Sequence, residues 1–258
     1  MPDEGYSTNF FSQQNLASTN SARVIVPLIT DLLHPQRVLD LGCGIGAWMK
    51  VFKEQGCAYV KGYDGDYVDR NLLVVEPSEF GVADLTKPLQ DRDAPYDLAV
   101  SLEVGEHLEA QYADVLVENL TSRAPAVLFS AAIPGQGGTL HVNEQWPSYW
   151  AEKFARHGYV ALDVIRPHIW DSDHVETYYI QNILLYVRPE VIAAHPILAA
   201  EQKKAPFAMD LVHPKQFAAV RDRPEDFENV PIAWAVNRFG RSIKGFLLRR
   251  LGRDTRKS

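Results

Sequence analysis

The chain has 258 residues, 46% of them apolar, which suits one α/β domain with an appendage, and it has no apolar run long enough to span a membrane. Two cysteines are too few for a disulfide scaffold, and the acidic, polar N-terminus is unlike a signal peptide, so we expect a cytoplasmic protein. The net charge of −7 divides into −14 over residues 1–237 and +7 over residues 238–258, and the acidic body disfavours nucleic acid as a partner.

Helices and strands alternate along the first 190 residues. We predict strands over 37–41, 58–64, 80–85, 96–104, 125–134, 159–167 and 177–189. Helices are predicted over 21–35 with Ser21 as N-cap, and over 46–56, 109–123 and 146–158. This alternation indicates a Rossmann-like, doubly wound α/β fold with a mostly parallel seven-stranded sheet. Only a loop separates the last two predicted strands, which favours an antiparallel hairpin at one edge.

The stretch VLDLGCGIGAW, residues 38–48, places three glycines directly after the first strand. Ligands bind open parallel sheets at the carboxyl ends of their strands, and glycines let the backbone approach a ligand closely. The spacing G-x-G-x-G differs from the G-x-G-x-x-G of dinucleotide-binding folds. Asp40 lies two residues before the first glycine, where a carboxylate suits a cationic sulfonium or ammonium better than a pyrophosphate. The loop therefore predicts a site for a cationic, nucleoside-like cofactor.

These residues resemble the class I S-adenosylmethionine-dependent methyltransferases, whose motif D-x-G-x-G-x-G matches Asp40, Gly42, Gly44 and Gly46. The resemblance extends over about residues 20–190. It implies that Asp64, at the end of the second strand, holds the ribose hydroxyls and that Asp84 contacts the adenine amine. The cofactor-binding set that it implies is completed by Cys43, Leu85 and Leu102. Capping of local turns is the alternative interpretation of Asp64 and Asp84.

A second group of polar residues follows the fourth and fifth predicted strands. EVGEHL contributes Glu103, Glu106 and His107, and GGTLHVNEQW contributes His141. Both loops end on the same rim of the sheet, so we expect them to share one pocket. Two carboxylates and two imidazoles there can bind a divalent cation or supply a general base. Our candidates for catalysis are Glu106, His107 and His141.

The E-x-x-E-H spacing is similar to that of Hen1-type RNA 2′-O-methyltransferases and of ubiquinone-pathway O-methyltransferases. This resemblance implies a metal site for Mg, Mn, Fe or Zn at Glu103, Glu106, His107 and His141. The block over 129–150, together with GDYVDR at 65–70, also resembles bacterial methyltransferases associated with glycan and secondary-metabolite gene neighbourhoods. We therefore expect O-methylation of a sugar, a glycan or another small molecule. RNA 2′-O-methylation and a non-catalytic cofactor-binding scaffold are the alternatives.

The predicted domain lies between two flanking segments. We assign residues 1–20 to an N-terminal lid, 21–190 to the methyltransferase domain and 191–258 to a C-terminal extension. The extension includes a basic amphipathic helix over 233–251. This helix favours docking on the body or in a homodimer, with peripheral contact to an anionic membrane as the alternative.

Overall fold

The computed structural model describes residues 8–204 and 207–221, with side chains from residue 16 onward. Seven strands form one sheet: β1 (Arg37–Leu41), β2 (Tyr59–Asp64), β3 (Phe80–Val82), β4 (Leu98–Leu102), β5 (Ala126–Ser130), β6 (Val160–Leu162) and β7 (Leu184–Val187). The helices are α1 (Thr8–Leu33), α2 (Ala47–Glu54), α3 (Ala113–Thr121), α4 (Pro147–Arg156), α5 (Arg166–Ile169), α6 (Thr177–Asn182), α7 (Pro189–Ala194), α8 (Pro196–Gln202) and α9 (Pro214–Arg221).

The strands lie in the order β3-β2-β1-β4-β5-β7-β6. Every neighbouring pair is parallel except the two that include β7, which runs antiparallel to both β5 and β6. The predicted fold class is therefore confirmed. The order reverses between β1 and β4, and a sheet with such a switch point binds its ligands at the carboxyl ends of those strands.

Apolar side chains cover both faces of the sheet because neighbouring residues of a strand point to opposite sides. On one face Val38 and Val100 pack with residues of α1 and α2. On the other face Leu39 and Val127 pack with residues of α3 and α4. The strands β4 and β5 are buried along their whole length, as expected for central strands with helices on both sides.

Several predicted boundaries were wrong. The first helix begins at Thr8, so Ser21 lies inside it and donates its hydroxyl to the Ala17 carbonyl at 2.9 Å, where an N-cap was expected. The third strand ends at Val82 and the sixth at Leu162. Their predicted last residues belong to turns and to α5, because apolar composition alone does not locate a strand end.

The segment over 177–189 was predicted as one long strand, yet its first half is the helix α6 and only Leu184–Val187 is a strand. The antiparallel pair β6 and β7 exists, but α5 and α6 lie between its strands, so it is not a hairpin closed by a loop. Short runs rich in aromatic and β-branched residues fit a helix or a strand equally well, and here tertiary packing decides.

The amphipathic segment over 233–251 lies outside the described residues, and so do the side chains of the aromatic residues Tyr6, Phe10 and Phe11 near the N-terminus. The proposed domain boundaries at 20 and 190 stay predictions. Within the described part of the chain, no helix is both long enough and apolar enough to cross a membrane.

Candidate active site

Three glycines make the turn between β1 and α2. Gly42, Gly44 and Gly46 have φ values of +82°, +54° and +92°, a left-handed backbone that residues with a Cβ rarely adopt. Gly42 donates its N–H to the Tyr63 carbonyl at 2.8 Å, which ties the turn to the end of β2. A Cβ at Gly42 would lie 2.2 Å from the side chain of Val104, whereas one at Gly44 would meet no atom within 4 Å. Gly44 therefore leaves its backbone open to a ligand.

The two acidic residues predicted beside this turn have different surroundings. Asp64 accepts the N–H groups of Gly44 and Gly65, each at 2.7 Å, and the hydroxyl of Tyr67. Asp40 is 4% exposed, and its Oδ2 has no hydrogen-bond partner in the described part of the chain. Burial, and then the charge of Asp64, raise the pKa of Asp40 to about 8. A cation beside Asp40 would favour its charged form and offset the cost of burial.

A cleft of about 550 Å³ opens beside the glycine turn. The predicted site residues that line it are Asp40, Gly42, Cys43, Gly44, Leu102, Glu103, Glu106, His107 and His141. Gly46 and Asp64 are not among its lining residues, although Asp64 holds the turn through Gly44. The structure therefore brings the glycine turn and the second polar group into one cleft, as the parallel strands predicted.

Asp84 caps a surface turn after β3. Its side chain is 48% exposed, and its Oδ1 accepts the N–H of Thr86 at 3.0 Å and the Thr86 hydroxyl at 2.6 Å. Its Oδ2 lies 2.7 Å from Nζ of Lys87, and the ion pair with this lysine and the bonds from Thr86 lower the pKa of Asp84. Leu85 is buried in the core. The local contacts are those of a turn cap, and the cofactor roles of Asp84 and Leu85 stay predictions.

Glu106, His107 and His141 converge at the far wall of the cleft. One ligand atom from each lies within 4.8 Å of the others, and Nε2 of His141 is 4.0 Å from a carboxylate oxygen of Glu106. The Glu106 side chain is fully buried, and neither of its oxygens has a hydrogen-bond partner in the described residues. Burial, and then the neighbouring Glu103, raise the pKa of Glu106 well above its usual range. Burial and then His141 lower the pKa of His107.

Glu103 was predicted as a fourth ligand, but the structure gives its carboxylate other partners. Its two oxygens accept Nε2 of Gln136 at 2.9 Å and Nδ2 of Asn182 at 3.1 Å. Its backbone is left-handed, with φ at +55°, which is uncommon for a residue with a Cβ and is maintained by the surrounding structure. The cluster of groups close enough to share an ion contains Glu106, His107 and His141 but not Glu103.

A family model described as "Methyltransferase domain" matches residues 13–171, more than half of the chain. The chain belongs to this methyltransferase family. The predicted resemblance to the class I enzymes is confirmed. No curated protein matches the sequence.

Solved structures of methyltransferases share the fold at low sequence identity. Human N-acetylserotonin methyltransferase with SAM (S-adenosylmethionine) is 16% identical, with a TM-score of 0.49, over 69% of this chain and 55% of that one. An O-methyltransferase family protein from Burkholderia thailandensis is 10% identical, with a TM-score of 0.51, over 71% and 60%. Magnesium protoporphyrin IX methyltransferase from Synechocystis, with bound SAM, is 18% identical, with a TM-score of 0.50, over 71% and 86%. This chain thus spans little more than half the length of the first two.

Glu144 belongs to the candidate site, but the predicted ligand set left it out. Its carboxylate accepts Nδ1 of His141 at 3.0 Å and the N–H groups of Gly135 at 2.7 Å and Gly137 at 2.6 Å. Partial burial raises the pKa of Glu144, but the hydrogen bonds from His141 and the two glycines outweigh it, and the net shift is downward. An ionised Glu144 fixes the proton of His141 on Nδ1, so that Nε2 faces Glu106 and His107.

Further cleft residues come from segments without a sequence signature. The β6–β7 connection contributes Glu176, Tyr178 and Tyr179, and α1 contributes Ala17 and Ser18. By contrast, the residues in and next to α4 and directly after α5 lie elsewhere. Trp150 is buried in the core, and Trp146, Tyr149, Trp170, Asp171 and His174 are not among the residues that line the cleft.

Proposed function

We propose that this chain is a SAM-dependent O-methyltransferase that acts on a hydroxyl of a sugar, a glycan or another small molecule. One observation carries the proposal. Asp40 and residues of the glycine turn line the same cleft as His141, which Glu144 holds by a hydrogen bond, so a methyl donor and a proton acceptor can meet there. Family membership supports methyl transfer, and the imidazole–carboxylate pair supports oxygen as the acceptor atom.

The glycine turn and Asp40 form the cofactor half of the cleft. The open backbone of Gly44 allows the nucleoside part of SAM to approach closely, and Asp64 is assigned to the ribose hydroxyls. The sulfonium and ammonium groups of bound SAM would supply positive charge to Asp40, whose Oδ2 is buried without a partner in the described part of the chain. The buried carboxylate therefore favours the charged methyl donor over the uncharged thioether product.

His141 is the proposed base. A hydroxyl is a weak nucleophile, so its proton must be removed as its oxygen attacks the sulfonium methyl and the carbon–sulfur bond breaks. Nε2 of His141 can take that proton, because Nδ1 donates to Glu144 and the carboxylate stabilises the imidazolium that forms. Holding base and methyl donor in one cleft removes much of the entropic cost of the reaction.

A metal-assisted version of the same reaction is the second candidate. It is favoured by the two oxygens of Glu106, which are fully buried and lack partners in the described part of the chain. Glu106, His107 and His141 offer the oxygen and nitrogen donors that a divalent cation takes, and Glu144 would orient one imidazole from behind. A bound divalent cation would lower the pKa of an acceptor hydroxyl.

Labelled methyl transfer from SAM to a panel of hydroxylated compounds tests the proposal. We expect methyl ether products, and we expect His141→Ala to lose turnover while SAM affinity, measured by calorimetry, is retained. Chelation followed by metal add-back separates the two versions. Full activity after chelation, together with wild-type turnover in His107→Ala and His141→Ala, would reject the metal and the histidine base together.

A further inference from the structure

The wall of the cleft carries four acidic side chains and no basic one among the described residues. Four carboxylates line it, from Asp40, Glu103, Glu106 and Glu176, and no lysine or arginine of the described residues does. Two histidines are the other ionisable nitrogen groups in the lining. A molecule that enters this cleft therefore meets carboxylates on several sides, with no cationic side chain of the described wall to balance an anion.

Burial makes the charged forms of these side chains depend on a neighbouring cation. Glu103 is held by two uncharged amides, and burial raises its pKa despite their hydrogen bonds, so a nearby cation would favour its charged form. Glu106 is fully buried and has no partner among the described residues for either oxygen, and such a carboxylate is stabilised by a cation or by a proton. Asp40 lies in the cofactor half, where the positive charges of bound SAM would favour its charged form. The other three acidic side chains lie on the acceptor side, where a bound cation would favour the charged forms of Glu103 and Glu106.

Glu176 supplies a carboxylate on that side, and this residue has no part in the assignments for the cofactor, the base or the metal. It precedes α6, and its backbone N–H is fixed by the Ser21 hydroxyl at 3.0 Å. Its carboxylate forms no hydrogen bond or ion pair within the described part of the chain. Two residues on, Tyr178 lines the same cleft, and burial, Tyr179 and then Glu176 raise its pKa, so its phenol stays uncharged. A carboxylate beside an aromatic ring is a favourable environment for an ammonium group.

We propose that the acceptor is a hydroxylated amine, such as an amino sugar, whose ammonium group binds between Glu176 and Tyr178 while its hydroxyl faces His141. This inference rests on the proposed O-methyltransferase function and specifies its acceptor. Acceptors that carry phosphate or carboxylate, including sugar phosphates and nucleic acid, are rejected because the described wall offers no lysine or arginine to pair with an anion. In the reaction the hydroxyl oxygen gains the methyl group, its proton goes to His141 and the amine is unchanged.

The test compares acceptors that differ only in charge. Glucosamine, galactosamine and mannosamine, their parent sugars and the 6-phosphates of those sugars are incubated with wild-type protein and labelled SAM. We expect at least one amino sugar to be methylated on oxygen, with kcat/KM at least tenfold above its parent sugar and no transfer to the 6-phosphates. Glu176→Gln is expected to raise KM for the amino sugar about tenfold and to leave SAM affinity unchanged. Glu152→Gln, on the exposed side of α4, is the matched control.

Each outcome decides the proposal. Equal or better methylation of a parent sugar or of a 6-phosphate would overturn the amine preference and leave the proposed O-methyltransferase function standing. Failure to methylate any amino sugar, or an unchanged KM in Glu176→Gln, would likewise overturn it. Methylation on nitrogen, located by NMR of the product, would overturn the inference together with O-methylation.

Discussion

The substitution Gly138→Ala should move the proposed base without altering its chemistry. A Cβ at Gly138 would lie 2.3 Å from Nε2 of His141, whereas ordinary contacts begin at 3.4 Å, so the imidazole must shift by about 1 Å. Gly138 is not in the left-handed region, so the added methyl brings no backbone strain. The clash falls on a side chain that can move, and the fold should accept it.

A displacement of about 1 Å at a reacting group lowers rates by about 10²-fold. We therefore expect Gly138→Ala to reduce kcat for methyl transfer by about that factor while calorimetry gives an unchanged SAM affinity. Gly158→Ala serves as the control, since that glycine has φ at +80° and open space around its Cβ, after α4. It should cost about 1 kcal/mol of stability and leave kcat unchanged. A kcat for Gly138→Ala within twofold of wild type would refute the placement of His141 as base.

Three further predictions concern the carboxylates of the site. Asp64→Ala should weaken SAM binding by about 1.5–3 kcal/mol in calorimetry, and an unchanged affinity would contradict the ribose assignment. Since the pKa of Asp40 is about 8 in the native chain and 3.8 ordinarily, the native state holds a proton that the unfolded chain releases between those values. The free energy of unfolding should thus fall by up to about 1.4 kcal/mol per unit as pH rises from about 4 to about 8, and urea titrations of Asp40→Asn should lack this component. Manganese or zinc at 100 times its Kd should stabilise the wild type by about 2.7 kcal/mol, measured as a thermal shift, and should not stabilise Glu106→Gln. Asp84→Asn is the control. Equal thermal shifts in the wild type and in Glu106→Gln would reject the metal site.

Sequence patterns predicted the sheet because each central strand is a nearly continuous apolar run, and two of them, β1 and β4, are followed directly by a glycine or an acidic residue. They placed the glycine turn and the E-x-x-E-H segment on one rim because parallel strands end together. They failed over 177–189, where the same aromatic and β-branched residues serve a helix and then a strand. The distinction comes from packing against α5 and β5, which no local pattern encodes.

The polar residues that contact the site residues from elsewhere in the chain were harder to predict than the residues within the motifs. Gln136 and Asn182 have no recognisable spacing, since they contact Glu103 from positions 33 and 79 residues away along the chain. Glu144 could have been found, because it follows His141 by three residues in a loop that begins with glycines. Asp84 is the opposite case, since a motif match predicts a cofactor contact for a residue whose contacts in the structure are those of a turn cap, and its cofactor role stays a prediction.

The residues of the donor side of the cleft precede those of the acceptor side along the sequence, and this separation affects how a new acceptor preference can be acquired. The glycine turn and Asp40 all precede residue 49, while the carboxylates and rings of the acceptor side lie between Glu103 and Tyr179. Recombination with crossovers after β4 and before β7 would exchange the segment that carries the acceptor side and leave the donor-side residues unchanged. Among relatives with this layout, we expect a shared methyl donor to persist while acceptors diversify, and chimeras joined at these points to inherit the acceptor of the inserted segment.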